Sequence, residues 1–288
     1  MKHLLTNLNI IKIIFINIMI IKLFIIKKNK YSLIIKKQKF ILNKNVIHLI
    51  YNNSLGNIKK KNVVYSALFG NYDSLKDFNK QDGFDYILFT DNITKTETNW
   101  TQLKIPEFVL NFNINIIKKQ RFLKLHPHLF FKNYDVSIYI DCSFIIIGDL
   151  NELLKRLLSP SFHIYLLEHP FRNNIYNEIE RVIKIKKEKK SIALNVRKRY
   201  IKLKFPKNNG LSENCLIIRR HNNKKCIYLM EKWWNEINNF SQRDQLSLNF
   251  VIWKEGIKIK YISKAFILEY FKKTKHLKNY RYIFNKYK

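Results

Sequence analysis

Apolar residues come in short runs that end on small or acidic residues. Residues 136–140 form one such run and stop at a single carboxylate, Asp141; Cys142 and Ser143 follow, then a second run, 144–147, closed by Gly148-Asp149. Residues 62–69 end in the same way at Gly70-Asn71-Tyr72-Asp73, and residues 84–90 at Asp91-Asn92. Runs of this length bounded by turn residues predict buried strands. Residues 162–167, followed by Glu168-His169-Pro170-Phe171-Arg172, and residues 214–218 predict two more. Helical spacing lies between them. In residues 116–125, Ile117, Phe122 and Leu125, with Leu129 beyond, can face a core, while Arg121 and Lys124 share another face with Lys118. Residues 151–158 predict a short helix stopped by Ser159-Pro160, and 175–200 one long charged helix with a solvated lysine block. Residues 206–213 read as a loop with Gly210, and 227–237 as a helix whose Trp233-Trp234 pack in the core. Ser241 is placed to N-cap a last helix, with Asp244 in its first turn, where the dipole favours an anion. Strands alternating with helices, with Gly, Asn and Asp at the strand tips, predict an α/β sheet whose tips carry the site.

The two ends differ from this middle. Residues 1–60 contain no Asp or Glu, and residues 10–26 are almost wholly apolar, interrupted by Lys12, Asn17 and Lys22. That length is near the lower limit for a spanning helix. It predicts a signal-anchor, with a surface amphipathic helix or a helix packed on the domain as alternatives. No small-residue cleavage site is evident. Lysines after the run would keep the following domain cytosolic, but lysine is so common here that the side of the membrane stays open. Residues 51–61 read as a polar linker, and 272–288 as a basic, aromatic tail touching membrane or acceptor. The expected organisation is an N-terminal segment, 1–60; one α/β domain, 61–271; and the tail, 272–288.

Composition narrows the function. The 288 residues are 47% hydrophobic and 14% aromatic, which supports a sizeable core and excludes global disorder. The net charge of +33 favours polyanions: nucleic acid, anionic membrane or nucleotide phosphates. The charge is dispersed and no nucleic-acid motif is present, which argues against a nucleic-acid partner. The three cysteines form no CxxC pair, so neither a zinc pattern nor a disulfide framework follows. The fingerprints of dinucleotide-binding and P-loop folds, GxGxxG and the Walker loop, are missing.

Eight landmarks in order carry a resemblance. They are YSALFGNYD (65–73), DYILFTDN (85–92), the R-x-x-K-x-x-P-H of Arg121, Lys124, Pro127 and His128, YDVSIYIDCSF (134–144), HPFRNNIYNE (169–178), P-x-x-x-G-L-S-E (206–213), Trp233-Trp234 and RDQLS (243–247). The chain resembles the glycosyltransferase-like family that includes plant mucilage-related and turgor-regulation proteins with bacterial and viral homologues. The resemblance implies a GT-A-like α/β fold, a mixed, mostly parallel sheet flanked by helices, that binds a nucleoside-diphosphate sugar. It implies sugar transfer to a glycan or glycolipid hydroxyl. A non-catalytic member of the same fold is the alternative, and a basic nucleic-acid-binding or peripheral membrane protein a more distant one.

Such transfer must neutralise a diphosphate leaving group, through a divalent cation or cationic side chains. GT-A enzymes commonly use Asp-x-Asp at a strand end; here the triplet is Asp141-Cys142-Ser143, so the second carboxylate is missing. Asp141, with Ser143, is the candidate ligand for Mn²⁺ or Mg²⁺. On the resemblance, Asp141, Arg121 and Lys124 hold the diphosphate, Gly70 and Asn71 admit the nucleotide, Phe69 or Tyr72 stacks on its base, and Asp91 accepts from base or ribose. His169 and Arg172 would contact acceptor or diphosphate. Asp244 would act as general base or orient an acceptor hydroxyl, with Gly210, Glu213 and Gln245 on the acceptor side. Plainer roles exist for the same residues: turn-forming Asp141 and Asp91, a dipole-complementing Asp244, and a solvated basic face for Arg121 and Lys124.

Overall fold

In a computed structural model of the chain, residues 61–275 are described except Asn71, Leu75, Lys95 and Thr96; ahead of them, three segments are described by their backbone alone. These three, β1 (Lys22–Lys27), β2 (Lys30–Ile35) and β3 (Gln38–Leu42), form an antiparallel sheet. They belong to one compact unit together with residues 106–112, which include the short helix α1 (Glu107–Leu110). Most of the expected anchor, residues 10–21, and the linker, 51–60, lie outside the described residues; from Lys22 the chain is strand. Among the described residues no helix is long and apolar enough to cross a membrane.

The second unit is built on the apolar runs. β4 (Lys61–Leu68), β5 (Phe84–Thr90), β6 (Thr101–Lys104), β7 (Tyr134–Ile140), β9 (Ile164–Glu168), β10 (Ser212–Arg219) and β11 (Lys260–Ile262) form a sheet in the order β11-β9-β10-β7-β4-β5-β6. Only β10 runs against its neighbours. The fold class is the expected one, a mixed, mostly parallel sheet flanked by helices. Val63, Val64 and Tyr65 of β4 and Ile138, Tyr139 and Ile140 of β7 are fully buried, because the central strands are covered on both faces. Each such aliphatic side chain contributes about 1.5–3 kcal/mol of burial.

The helices are α2 (Ile116–Leu125), α3 (Pro127–Phe130), α4 (Leu150–Leu157), α5 (Ile175–Lys184), α6 (Lys190–Lys202), α7 (Lys224–Asn239), α8 (Leu248–Glu255) and α9 (Lys264–Leu268). The single helix expected over residues 175–200 is two. Lys186 takes a left-handed φ of 54°, and Lys186 and Lys187 N–H close the end of α5 on Ile183 O and Val182 O. Glu188, inside the lysine block, is buried and accepts Ser241 Oγ at 2.7 Å, which turns the chain inward. Ser241 is therefore not the expected helix cap. It bonds Glu188 and accepts from Arg243 N–H; Asp244–Leu246 is a 3-10 turn and α8 starts only at Leu248. Where the expected tail begins, the chain is strand. β12 (Phe271–Lys273) pairs antiparallel with β8 (Phe144–Ile146). The rest of the expected tail, from residue 276, lies outside the described residues.

Candidate active site

The tips of β4, β5, β7 and β9 and the start of antiparallel β10 share one edge of the sheet, so Gly70, Asp91, Asp141, His169 and Glu213 arrive there from five strands. Asp141 N–H donates to Cys215 O at 2.9 Å, and Phe144 N–H closes a turn on Asp141 O at 3.0 Å. The Tyr139 hydroxyl donates to Asp141 Oδ1 at 2.8 Å and accepts from Gln120 Nε2 at 2.7 Å. Burial, reinforced by the charge of Asp141, holds the Tyr139 phenol well above its ordinary pKa, so it remains a donor. The Asp141 residue itself is only half-buried.

Lys124 Nζ lies 4.9 Å from the Tyr139 ring centroid and 2.6 Å from Asp244 Oδ2; Arg121 Nε is 3.4 Å from the same oxygen. The main chain of Lys124 is fixed as well, since its carbonyl accepts the Tyr65 hydroxyl at 2.6 Å and the guanidinium of buried Arg219. Burial alone would raise the Asp244 pKa, but the Arg121, Lys124 and Arg243 charges outweigh it and hold the carboxyl far below the usual range. Asp141, Tyr139, Lys124, Asp244 and Arg121 thus form one continuous polar array. The sequence reading divided them, with Arg121 and Lys124 on the donor side and Asp244 on the acceptor side. Lys124 is 1% exposed and its charge is committed to Asp244. Arg121 and Lys124 hold this carboxylate ionised, and it accepts the hydrogen bond of Lys124.

The other candidates are also placed. His169 Nδ1 accepts the N–H groups of Phe171 and Arg172 at 3.2 and 3.0 Å, and Nε2 lies 3.0 Å from Arg172 Nη2. Burial, then the Arg172 charge, lowers the His169 pKa. Arg172 Nε donates to buried Glu178 at 2.6 Å. Gly70, at φ 64°, donates its N–H to both Asp91 oxygens at 3.0 and 2.9 Å, so Asp91 holds the β4 loop. Phe69 is 5% exposed and belongs to the core, not to an open stacking surface; Tyr72 is half-buried against the core, and Asn71 lies outside the described residues. Gly210 has φ 73°, and a Cβ there would meet the Tyr261 hydroxyl at 3.1 Å, so turn and packing already require glycine. Gln245 N–H donates to Asp244 Oδ1 at 3.0 Å. Glu213 is ion-paired with Lys273.

For a divalent cation the residues offer little beyond Asp141. Ser143 Oγ, two residues on, is buried and has no hydrogen-bond partner among the described residues. The Cys142 thiol faces Ser66 Oγ at 3.1 Å, and burial above all pushes its pKa up to about 12. Among the described residues no three His, Cys, Asp or Glu side chains cluster around a metal-sized space. One carboxylate and one hydroxyl fit a Mg²⁺ or Mn²⁺ held mainly by substrate phosphates and water. Cations are better supplied. Lys187 has its pKa lowered by burial and then by Arg243, and it also feels Glu178 and Lys273. Lys187, Arg243 and Lys273 thus join Arg172, Arg121 and Lys124 near the site. Lys187 lies in the lysine block expected to be solvated, Arg243 opens the RDQLS landmark and Lys273 lies in the expected tail; their positions in the sequence give none of them a place beside the diphosphate.

Solved glycosyltransferases resemble the chain in outline. The apo structure of bifunctional WbbM shares 12% identity at a TM-score of 0.46, over 72% of this chain and 40% of that one. Apo GlyE of Streptococcus pneumoniae TIGR4 shares 10% at 0.41, over 73% and 46%. Galactosyltransferase LgtC, in complex with donor and acceptor sugar analogues, shares 10% at 0.39, over 69% and 72%. The chain spans less than half the length of the first two. A search of curated protein sequences finds no match. The family model of the TOD1/MUCI70 glycosyltransferase-like domain matches residues 49–282, which include every strand tip of the shared edge. The chain belongs to the TOD1/MUCI70 glycosyltransferase-like domain family.

Proposed function

We propose that the protein transfers a sugar from a nucleoside-diphosphate donor to a hydroxyl of a glycan or glycolipid. The observation that carries this reading is Asp141, held by Tyr139 at the tip of a central strand, on an edge otherwise rich in cations. The acceptor oxygen would bond to the anomeric carbon while the bond from that carbon to the β-phosphate oxygen breaks. The electron pair leaves with the nucleoside diphosphate, and the acceptor proton goes to solvent. The barrier falls where positive charge awaits the leaving group. Asp141, with the Ser143 hydroxyl, would hold a substrate-borne Mg²⁺ or Mn²⁺, which supplies Lewis-acid stabilisation of the same charge. Lys124 and Arg121, fixed by Asp244, would contribute a positive field from behind Tyr139.

The test is nucleoside-diphosphate release from UDP- and GDP-sugars, with and without Mn²⁺, by wild type, Asp141→Asn and Arg121→Ala. Loss of at least tenfold in Asp141→Asn supports the reading. Unchanged turnover in both variants would sink the site assignment, and donor binding without any turnover would favour a non-catalytic donor-binding protein. Membrane attachment through residues 1–60 is a separate proposal, decided by whether their deletion abolishes pelleting with membranes.

A further inference from the structure

The last described strand brings a cation to the strand edge. β12 pairs with β8 so that Lys273 lies opposite Phe144, three residues from Asp141. Thr274 then donates its N–H and its hydroxyl to Ser143 O at 2.7 and 2.9 Å. The attachment is built into the fold. Phe271 is fully buried, and Ile147 and Gly148 N–H donate to Tyr270 O at 2.9 and 3.2 Å. Gly148 leaves no room for a side chain, since a Cβ would lie 2.6 Å from Glu269 O.

From this anchored strand the Lys273 side chain crosses the edge. Its Nζ lies 5.7 Å from the Phe144 ring centroid and pairs with Glu213, 60 residues away at the start of β10. Two residues after Glu213, Cys215 O accepts the Asp141 N–H. The ammonium therefore sits among the turn of Asp141, the start of β10 and the His169 loop. Burial opposes its charge, but Cys215, Glu213 and Asp141 outweigh burial and raise its pKa. Cys215 is a buried thiol with a strongly raised pKa of its own, so the two carboxylates carry the effect at neutral pH. Lys273 differs from Lys124 in the property that matters for a ligand. The Lys124 side chain is 1% exposed and enclosed with Asp244, whereas the Lys273 side chain is 41% exposed. An ammonium has three donors, and among the described residues Glu213 is its one hydrogen-bond acceptor.

We propose that Lys273 binds the diphosphate of the nucleotide donor, its ammonium held beside Asp141 by the β8–β12 pairing and open to phosphoryl oxygens. This rests on the transferase reading above. It assigns to an exposed lysine near the end of the chain the contact that Lys124, closed in with Asp244, is not free to make. The residue acts as a point charge on the diphosphate and transfers no proton.

The full-length protein would be titrated calorimetrically with UDP, GDP, ADP and inorganic pyrophosphate, as wild type, Lys273→Met and Lys273→Arg, with melting curves recorded for each. The expected result is a loss of at least tenfold in affinity in Lys273→Met, most of it restored in Lys273→Arg, with melting temperatures unchanged. Nucleoside diphosphate bound equally by wild type and Lys273→Met overturns the Lys273 assignment and leaves the transferase reading standing. Lys273-dependent binding of pyrophosphate alone keeps the anion site and removes the nucleotide donor. A wild type that binds none of the four overturns both.

Discussion

Lys124 Nζ and Asp244 Oδ2 meet at 2.6 Å across 120 residues of chain, and their side chains are 1% and 6% exposed. Breaking a buried ion pair leaves one charge without compensation, which costs about 3–5 kcal/mol. Asp244→Asn leaves Lys124 buried without its partner and should destabilise the protein by that amount in urea unfolding; Lys124→Met should cost less, because Arg121 Nε still lies 3.4 Å from Asp244 Oδ2. The double variant should lose clearly less than the sum, because neither charge is then left alone. Additive losses would mean that the two side chains do not act as a pair.

Tyr139 links this pair to Asp141. Tyr139→Phe removes one hydroxyl that donates to Asp141 Oδ1 and accepts from Gln120. The stability cost should be about 1 kcal/mol, the usual net worth of a hydrogen bond, with Gln120 losing its partner as well. Donor turnover should fall several-fold, since Asp141 would lose its orientation. Turnover equal to wild type would show that Asp141 needs no support from below.

Gly148 couples stability to the proposed anion site. Its φ is unremarkable, so the constraint is steric: a Cβ would lie 2.6 Å from Glu269 O and 2.8 Å from Tyr270 Cα, both backbone atoms. Gly148→Ala should cost about 1–3 kcal/mol, as overpacking does, in denaturant midpoint. It should also weaken pyrophosphate binding, because β12 must shift and Lys273 with it. Unaltered pyrophosphate binding at reduced stability would detach the strand from the ligand.

Acid should weaken the fold through His221. Its Nε2–H donates to Phe131 O at 2.7 Å, while Nδ1 is buried without a hydrogen-bond partner among the described residues. Burial, with Arg219 and His128 adding to it, lowers its pKa from 6.5 to about 4. The native state therefore favours the neutral ring. The stability this brings is fully present above pH 6.5 and is lost as pH falls through 4; over that window it amounts to roughly 3 kcal/mol. His128, shifted in the same direction chiefly by burial, adds to the trend. Melting temperature against pH should fall less steeply in His221→Gln than in wild type, and parallel curves would exclude His221 as a source of acid lability.

Local pattern was enough for the elements that pack by their own period. β5 and α2 begin and end where the hydrophobic spacing placed them, at Phe84–Thr90 and Ile116–Leu125. The break between α5 and α6 was not legible. It depends on Glu188 reaching Ser241, 53 residues on, and on a lysine adopting the left-handed turn that usually marks itself with glycine. Asp141 could be found because an acidic residue ending a buried strand is conspicuous. Lys273 could not, being one of 54 Lys and Arg residues in the chain.

The sequence by itself determined that the chain has an alternating α/β core, that Asp141 ends one of its strands, and that the order of motifs is that of the TOD1/MUCI70 family. Those properties follow from neighbours a few residues apart. Only the tertiary structure decided which charges meet. It closed Lys124 and Arg121 onto Asp244, and it returned Lys273 to the Asp141 edge through a strand that had read as a tail. The physical reason is that Coulomb attraction and desolvation depend on distance and burial in space. A run of lysines specifies its charge but not the partner it will face once the chain has folded.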